Sequence, residues 1–232
     1  MIDINKHKFF LVQILKDIYA DIELANCLGF KGGTALMFFY DLPRFSIDLD
    51  FDLIHLNKKE LMYEKVQTIL LKYGAIHDQA QKFYGLIIVL DYGHGERKLK
   101  IEISNRGFDN RYEIKNLLGI NMKVMVRADM FAHKLCALLD RNTITNRDIF
   151  DCWYFMKNHF PVNKIIVENR MGMPFSQYLQ SCINRLEMIK DKGLLQGLGE
   201  LMDKEMKNFV RTKLRTETIG FLKFYKDYPI LE

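Results

Sequence analysis

The stretch from Phe30 to Leu53 constrains the fold more than any other. It reads Phe-Lys-Gly-Gly-Thr-Ala-Leu, then Met-Phe-Phe-Tyr-Asp-Leu, then Pro-Arg-Phe-Ser-Ile-Asp-Leu-Asp-Phe-Asp-Leu. Gly32 and Gly33 follow an apolar segment and precede a short helical one. Such a turn lets the backbone approach a ligand closely, with N–H groups aimed at whatever sits over the helix start, most often a phosphate. From Ile47 to Phe51 apolar and acidic residues alternate, which is strand periodicity. Asp48 and Asp50 therefore project from one face, and Ile47, Leu49 and Phe51 from the other. Adjacent carboxylates repel each other unless a hard divalent cation sits between them, and Mg²⁺ is the commonest such ion at phosphates.

A phosphate loop followed by a paired-carboxylate strand points to metal-assisted phosphoryl or nucleotidyl transfer. The rest of the chain sets bounds. At 232 residues it can bury one substantial core or two small ones. A composition 49% hydrophobic and 27% charged is that of a globular protein. Met1 to Ala20 is amphipathic and broken by Lys6, Lys8, Lys16 and Asp17, so no secretory segment is expected. No apolar run approaches membrane-spanning length. Cys27, Cys136, Cys152 and Cys182 are scattered, which disfavours a zinc site or a disulfide framework and suits the reduced thiols of a cytoplasmic protein. The net charge of +5 permits a nucleic-acid partner without requiring one.

Taken in order, Lys6 to Glu23 carries Phe10, Leu11, Ile14, Ile18 and Ile22 at helical spacing. Cys27 to Phe30 reads as the first strand, and Thr34 as the cap of a helix from Ala35 to Tyr40 that Pro43 ends. Arg44 and Ser46 share the face of Asp48 if the extended pattern reaches back that far. Arg44 then either contacts a phosphate or neutralises the aspartates. Asp52 continues the alternation and is placed at the strand's exposed end. Lys58 to Tyr73 is helical, with Leu61, Val66, Ile69 and Leu70 as its buried stripe. Phe83 to Tyr92 and Lys98 to Ser104 are strands around a Gly93-His94-Gly95 turn, and Asn121 to Val126 is another. Asp129 is expected to cap a helix through Asp140, and a further helix runs from Arg147 to Lys157. Beyond Pro161 the strand signals stop, and segments 163–169, 174–190, 198–212 and 216–226 read as helices. Lys204, Lys207, Arg211 and Arg215 recur at three- and four-residue steps. They form either a solvated face or an RNA-contacting one.

A Gly-Gly turn, a helix and then Asp-x-Asp on the next strand resembles the signature of the DNA polymerase β-like nucleotidyltransferases. The fuller string, Gly32-Gly33-Thr34-Ala35-Leu36 with Arg44-x-Ser46-x-Asp48-x-Asp50-Phe51, is similar to the AbiEii/AbiGii toxin family within that superfamily. Ala132-x-Lys134-x-x-Ala137, Arg141 and Arg147-Asp148-x-x-Asp151 resemble the same family's C-terminal motif. Asp148 and Asp151 also suit helix capping with a salt bridge to Arg147 or Arg141. His133 reads as structural.

The resemblance implies an α/β fold with a mixed sheet flanked by helices, a nucleotidyltransferase domain over 1–157 and a helical bundle over 158–232. It implies transfer of an NMP from an NTP to an acceptor, with RNA, and tRNA in particular, as the acceptor class. Glu102 falls where the superfamily places its third catalytic carboxylate, so Asp48, Asp50 and Glu102 would hold Mg²⁺, or Mn²⁺ in its place. Gly32, Gly33, Thr34, Arg44, Ser46 and Lys134 would bind the nucleotide, and Asp148 would complete the catalytic set. A cognate antitoxin and a role in phage defence follow from the same resemblance. A small-molecule or protein acceptor, or a catalytically silent nucleotide- or RNA-binding module, are the alternatives.

Overall fold

The computed structural model describes residues 3–140, 143–190, 192–198 and 202–232. Helix α1 (Ile4–Ala20) starts at Asp3, whose carboxylate accepts from the Lys6 amide at 3.0 Å. It buries Leu11, Ile14, Leu15 and Ile18. The expected helix through Glu23 is in fact two helices. Asp21 stops the first and caps α2 (Ile22–Cys27) by accepting from the Glu23 and Leu24 amides. Ile22, expected in the buried stripe, opens this second helix and is exposed. Strand β1 (Leu28–Lys31) leads straight into α3 (Gly32–Phe39). Then come β2 (Leu49–Leu53), α4 (Lys59–Leu70), β3 (Ala75–Lys82), β4 (Gly85–Asp91), β5 (Leu99–Ser104), β6 (Tyr112–Leu117) and β7 (Ile120–Met125).

The strands form a mixed sheet in the order β3-β4-β5-β2-β1-β7-β6. β1 is antiparallel to β2 and parallel to β7, and β2 is parallel to β5. Phe30, Leu49, Phe51, Leu86, Ile88, Ile101, Ile103 and Val124 are all buried on one face, where α1 contacts β7 and α4 contacts β4. Met62 and Tyr63 are buried on α4, whereas Leu61 faces outward. Strands β3 and β6 were not expected. They are the two edges of the sheet and are largely exposed, so they carry little of the apolar alternation that announces a strand.

The chain divides into two units, Met1–Asp41 with Phe45–Met125, and Leu42–Arg44 with Val126–Glu232. The second unit is helical among the described residues. It comprises α5 (Arg127–Asp140), α6 (Asn146–Lys157), α7 (Lys164–Met171), α8 (Phe175–Glu187), α9 (Lys204–Thr212) and α10 (Leu214–Asp227). The boundary expected at residue 157 lies inside it. α5 contacts α7 and α8, α6 contacts α10, and α6 is buried all round from Asp148 to Met156, as befits the centre of a bundle. The Phe131 and Phe155 rings stack at 4.7 Å, and the Trp153 indole donates to Glu217 at 2.9 Å. Asp129, expected as a cap, sits within the first turn of α5 and accepts from Asn163 at 2.8 Å. Arg141 and Asn142 of the expected motif and loop, and residues 199–201 of the segment expected to be helical, lie outside the described residues. Among the described residues no helix is long and apolar enough to cross a membrane, and all four cysteines are free and buried.

Candidate active site

Strand pairing assembles the first cluster. Asp50 stands opposite Lys31 on β1 and opposite Glu102 on β5. In-register neighbours project from the same face, so the two carboxylates lie side by side, on the face opposite the buried apolar one. Gly32 closes the other flank. Its φ is +79°, and a Cβ there would collide with the Asp50 carboxylate, so both the turn and the close approach require glycine. Helix α3 begins at this glycine, with Lys31 in the cap position and making no side-chain cap bond.

Asp48 precedes β2, and side chains rather than ladder partners hold the peptides around it. Thr34, expected as a helix cap, instead sits inside α3 and donates its hydroxyl to the Asp48 carbonyl. Fully buried His7 places Nε2 2.8 Å from the Ile47 carbonyl and Nδ1 2.6 Å from the Tyr92 hydroxyl. Burial lowers the His7 pKa, although the Ile47 carbonyl and Asp48 pull the other way, and burial pushes Tyr92 up to about 12. The ring is therefore neutral, donating through Nε2 to the carbonyl and accepting at Nδ1 from the phenol. Sequence reasoning missed His7, because a lone histidine between lysines on a helix's first turns carries no periodic signal.

Burial raises the Asp50 pKa. Lys100 opposes this, Asp48 and Glu102 add to it, and Lys31 opposes it. Lys100 bonds Glu102 at 3.0 Å. Asp52, expected at an exposed strand end, is buried and fully engaged. It accepts from Lys31 at 2.5 Å, Tyr112 at 2.8 Å and Asn110 at 2.9 Å. Gly29 lies opposite it, with the Tyr112 ring packed where a side chain would be, which gives the phenol its path to Asp52. Among the described residues no three His, Cys, Asp or Glu side chains are gathered closely enough to hold a metal ion. Asp48, Asp50 and Glu102 are oxygen donors of the type a hard dication takes, but they are not drawn together into a coordination shell.

The second cluster lies in the helical unit. Arg44 does not extend the β2 alternation, because β2 starts at Leu49 and residues 42–44 bend, with the Arg44 amide on the Leu42 carbonyl. Its guanidinium makes a fork to Asp151 on α6, with both contacts at 2.7 Å. Lys134 on α5 reaches Asp151 at 2.8 Å and Asp148 at 3.2 Å. Thr145 caps α6 and donates its hydroxyl to Asp148 at 2.6 Å. Asp151 is the hub. Burial alone would raise its pKa, but Arg44 and then Lys134 outweigh that and hold it below the usual range. Burial works against the charge on Lys134, yet Asp151 and Asp148 hold its pKa above normal. His133 lies 2.9 Å from Arg170, a structural contact.

Ser46 is buried, with its amide 3.4 Å from the Met37 sulfur. Lys204, Lys207 and Arg211 lie on α9, whereas Arg215 lies beyond a helix break at Lys213, on α10. The four cations therefore do not share one continuous helical face.

Comparison with protein families matches residues 13–171 to the family described as nucleotidyl transferase AbiEii toxin, type IV toxin–antitoxin system. Among solved structures, JHP933 from Helicobacter pylori superposes with a TM-score of 0.62 at 21% identity, covering 97% of this chain and 93% of that one. A second H. pylori chain, provisionally assigned as a nucleotidyltransferase, gives 0.61 at 22% identity, covering 97% and 95%. At these identities the likeness is one of fold. Comparison with curated protein sequences finds no match.

Proposed function

Because the chain belongs to the AbiEii nucleotidyl transferase toxin family of type IV toxin–antitoxin systems, we propose that this nucleotidyltransferase moves an NMP from an NTP to an RNA acceptor, tRNA in particular, in a divalent-metal-dependent reaction restrained by a cognate antitoxin. The observation that carries this reading is the register of β1, β2 and β5. It sets Asp50 beside Glu102 and against the glycine that opens α3. Phosphate donors and carboxylates thus meet on one face of one sheet.

In this reading the first-turn amides of α3 at Gly33 and Thr34 receive phosphate oxygens, favoured by the helix N-terminus. The Thr34 hydroxyl and His7 fix the peptides that aim Asp48. Lys134 is a phosphate-binding cation, held by Asp148 and by the Asp151–Arg44 pair. An acceptor hydroxyl oxygen attacks the α-phosphorus. The bond from that phosphorus to the bridging oxygen breaks, pyrophosphate leaves with the electron pair, and the hydroxyl proton passes to a carboxylate of the cluster. Asp48, Asp50 and Glu102 would hold a Mg²⁺ or Mn²⁺ ion, which when bound lowers the acceptor's pKa and neutralises developing charge.

The test is incubation with each NTP labelled at its α-phosphate, Mg²⁺ and total cellular RNA. Labelled RNA that disappears with Asp50→Asn supports the proposal. Labelled protein or a labelled small molecule moves the acceptor to another class. No transfer with any NTP by folded protein overturns it.

A further inference from the structure

We propose that the Phe83–Tyr84 tip of the β3–β4 hairpin, with Arg106 against it, is the docking platform for unpaired bases of a single-stranded RNA acceptor. This rests on the RNA-acceptor reading above and adds where on the sheet the acceptor is held.

Lys82 at the end of β3 pairs with Gly85 at the start of β4, so the hairpin turns on two residues, Phe83 and Tyr84. Turns this short ordinarily use Gly, Asn or Asp. Here Gly85 absorbs the unusual backbone at φ +145°, with the Ile103 carbonyl where a Cβ would stand, and the tip itself is two large aromatics. Their main chain is tied down from the next strand. Asn105, the residue after β5, donates its backbone amide to the Tyr84 carbonyl at 3.1 Å and its side-chain amide to the Phe83 carbonyl at 3.2 Å. Any residues at 83 and 84 could accept those bonds, so the turn does not need the rings. Nor are the rings packed away: Phe83 is 86% exposed and Tyr84 55%. The two stand edge to face with centroids 4.8 Å apart, and the Arg106 guanidinium lies over the Tyr84 ring at 4.5 Å.

Exposed neighbouring rings with a guanidinium stacked on one of them supply what holds single-stranded nucleic acid, a π face for the bases and positive charge for the backbone. Residues 82–84 and 105–111 carry Lys82, Arg106 and Arg111 against Asp109, a balance that suits a polyanion. The position suits an acceptor. Asn105 lies three residues beyond Glu102, about 10 Å along the strand direction. The tip is thus outside the carboxylate cluster and within a few nucleotides' reach of it. A paired base is already stacked within its helix, so the platform selects unpaired ones.

The experiment is fluorescence anisotropy with a short labelled single-stranded RNA of mixed sequence, and with the same strand annealed to its complement, in chelator and without NTP. Phe83→Ala should weaken single-strand binding roughly five- to hundredfold, the contribution of one stacked base. Phe83→Leu, apolar but without a π face, should do the same, and Phe83→Trp should bind as tightly as wild type or more so. Duplex binding should be weaker and indifferent to all three. Because Phe83 is exposed, Phe83→Ala should melt within about 2 °C of wild type. If wild type holds the single strand and Phe83→Ala and Phe83→Leu hold it equally well, the platform is overturned while the RNA-acceptor reading stands. Wild type that binds no RNA yet labels it in the transfer assay overturns the platform likewise. If it neither binds nor labels RNA, the acceptor reading itself fails and takes this proposal with it. Dimeric wild type and monomeric Phe83→Ala in sedimentation velocity would assign the tip to a second copy of the chain and overturn the proposal as well.

Discussion

Asp151→Ala should destabilise the helical unit more than any change at the sheet's carboxylates. The Asp151 carboxylate accepts two bonds from Arg44 at 2.7 Å and is ion-paired with Lys134 at 2.8 Å. The side chains of Arg44, Asp151 and Lys134 are 2%, 0% and 19% exposed. Removing one partner of a buried pair costs about 3–5 kcal/mol, because a buried charge loses its compensation. Lys134 keeps Asp148 at 3.2 Å, so the loss on its side is partial. At about 2–4 °C per kcal/mol for a chain of this size, Tm should fall by roughly 6–20 °C. The pH dependence separates charge from packing. The folded pKa of Asp151 is lowered. Its contribution is therefore present above the unfolded value of about 4 and lost as pH falls through the folded one. Thermal melts followed by circular dichroism from pH 7 down to pH 3 should show the gap between wild type and variant narrowing below about pH 4. A variant melting within about 2 °C of wild type at pH 7 refutes the reasoning. A large gap unchanged by pH would mean that packing, not charge, was lost.

Asp50 should behave in the opposite sense. Its raised folded pKa gives stability that is present below about pH 4 and lost as pH rises through the folded value. In chelator at pH 7, Asp50→Asn should melt no lower than wild type; expression of the wild type should slow growth, and expression of the variant should not. A lower Tm contradicts the electrostatics, and persistent growth inhibition by the folded variant contradicts an enzymatic origin of toxicity. Lys134→Ala should weaken NTP binding by roughly ten- to hundredfold in calorimetry, since bonds to charged groups contribute about 1.5–3 kcal/mol, and Lys134→Arg should recover part of it. Unchanged NTP affinity would leave Lys134 as a partner of Asp148 and Asp151 alone. Replacing Lys207, Arg211 and Arg215 with Gln should reduce the salt dependence of RNA binding by up to about one log–log unit per lost phosphate contact, and an unchanged slope would make these cations a solvated surface.

The segment from β1 to β2 was legible because its signals are local. Glycines at a turn, a short apolar helix and a two-residue alternation need no distant partner to be read. Glu102 was singled out by the resemblance alone, since a glutamate on a strand's polar face is ordinarily just solvated; the register with β2 sets it beside Asp50. The readings that changed depend on contacts between distant residues. Arg44 and Asp151 are 107 positions apart, and nothing near Arg44 marks it as the partner of a helix so far along the chain. Asp52 looked like the frayed end of an acidic alternation, because Lys31, Asn110 and Tyr112 converge on it only once β1, β2 and β6 are folded. Strands β3 and β6 lie at the sheet edges, where pairing with a neighbour substitutes for an apolar face.

The two carboxylate clusters carry opposite electrostatic signatures, and that difference separates chemistry from scaffolding. Around Asp151 every unfavourable consequence of burial is outweighed by Arg44 and Lys134, and the carboxylate is held in its charged form. Around Asp50 burial is reinforced by Asp48 and Glu102, and two lysines do not restore the balance. The fold nevertheless builds this unfavourable site with care. It requires glycine at position 32, fixes the Asp48 carbonyl with Thr34, and buries a neutral histidine beneath Ile47. A chain selected for stability alone gains from replacing Asp50 by an uncharged residue. Frustrated charge held in rigid geometry is the pattern of a site kept for binding and catalysis. On that ground we propose that the chemistry lies on the sheet face at Asp48, Asp50 and Glu102, with Asp151 in the frame that keeps Lys134 charged and in place.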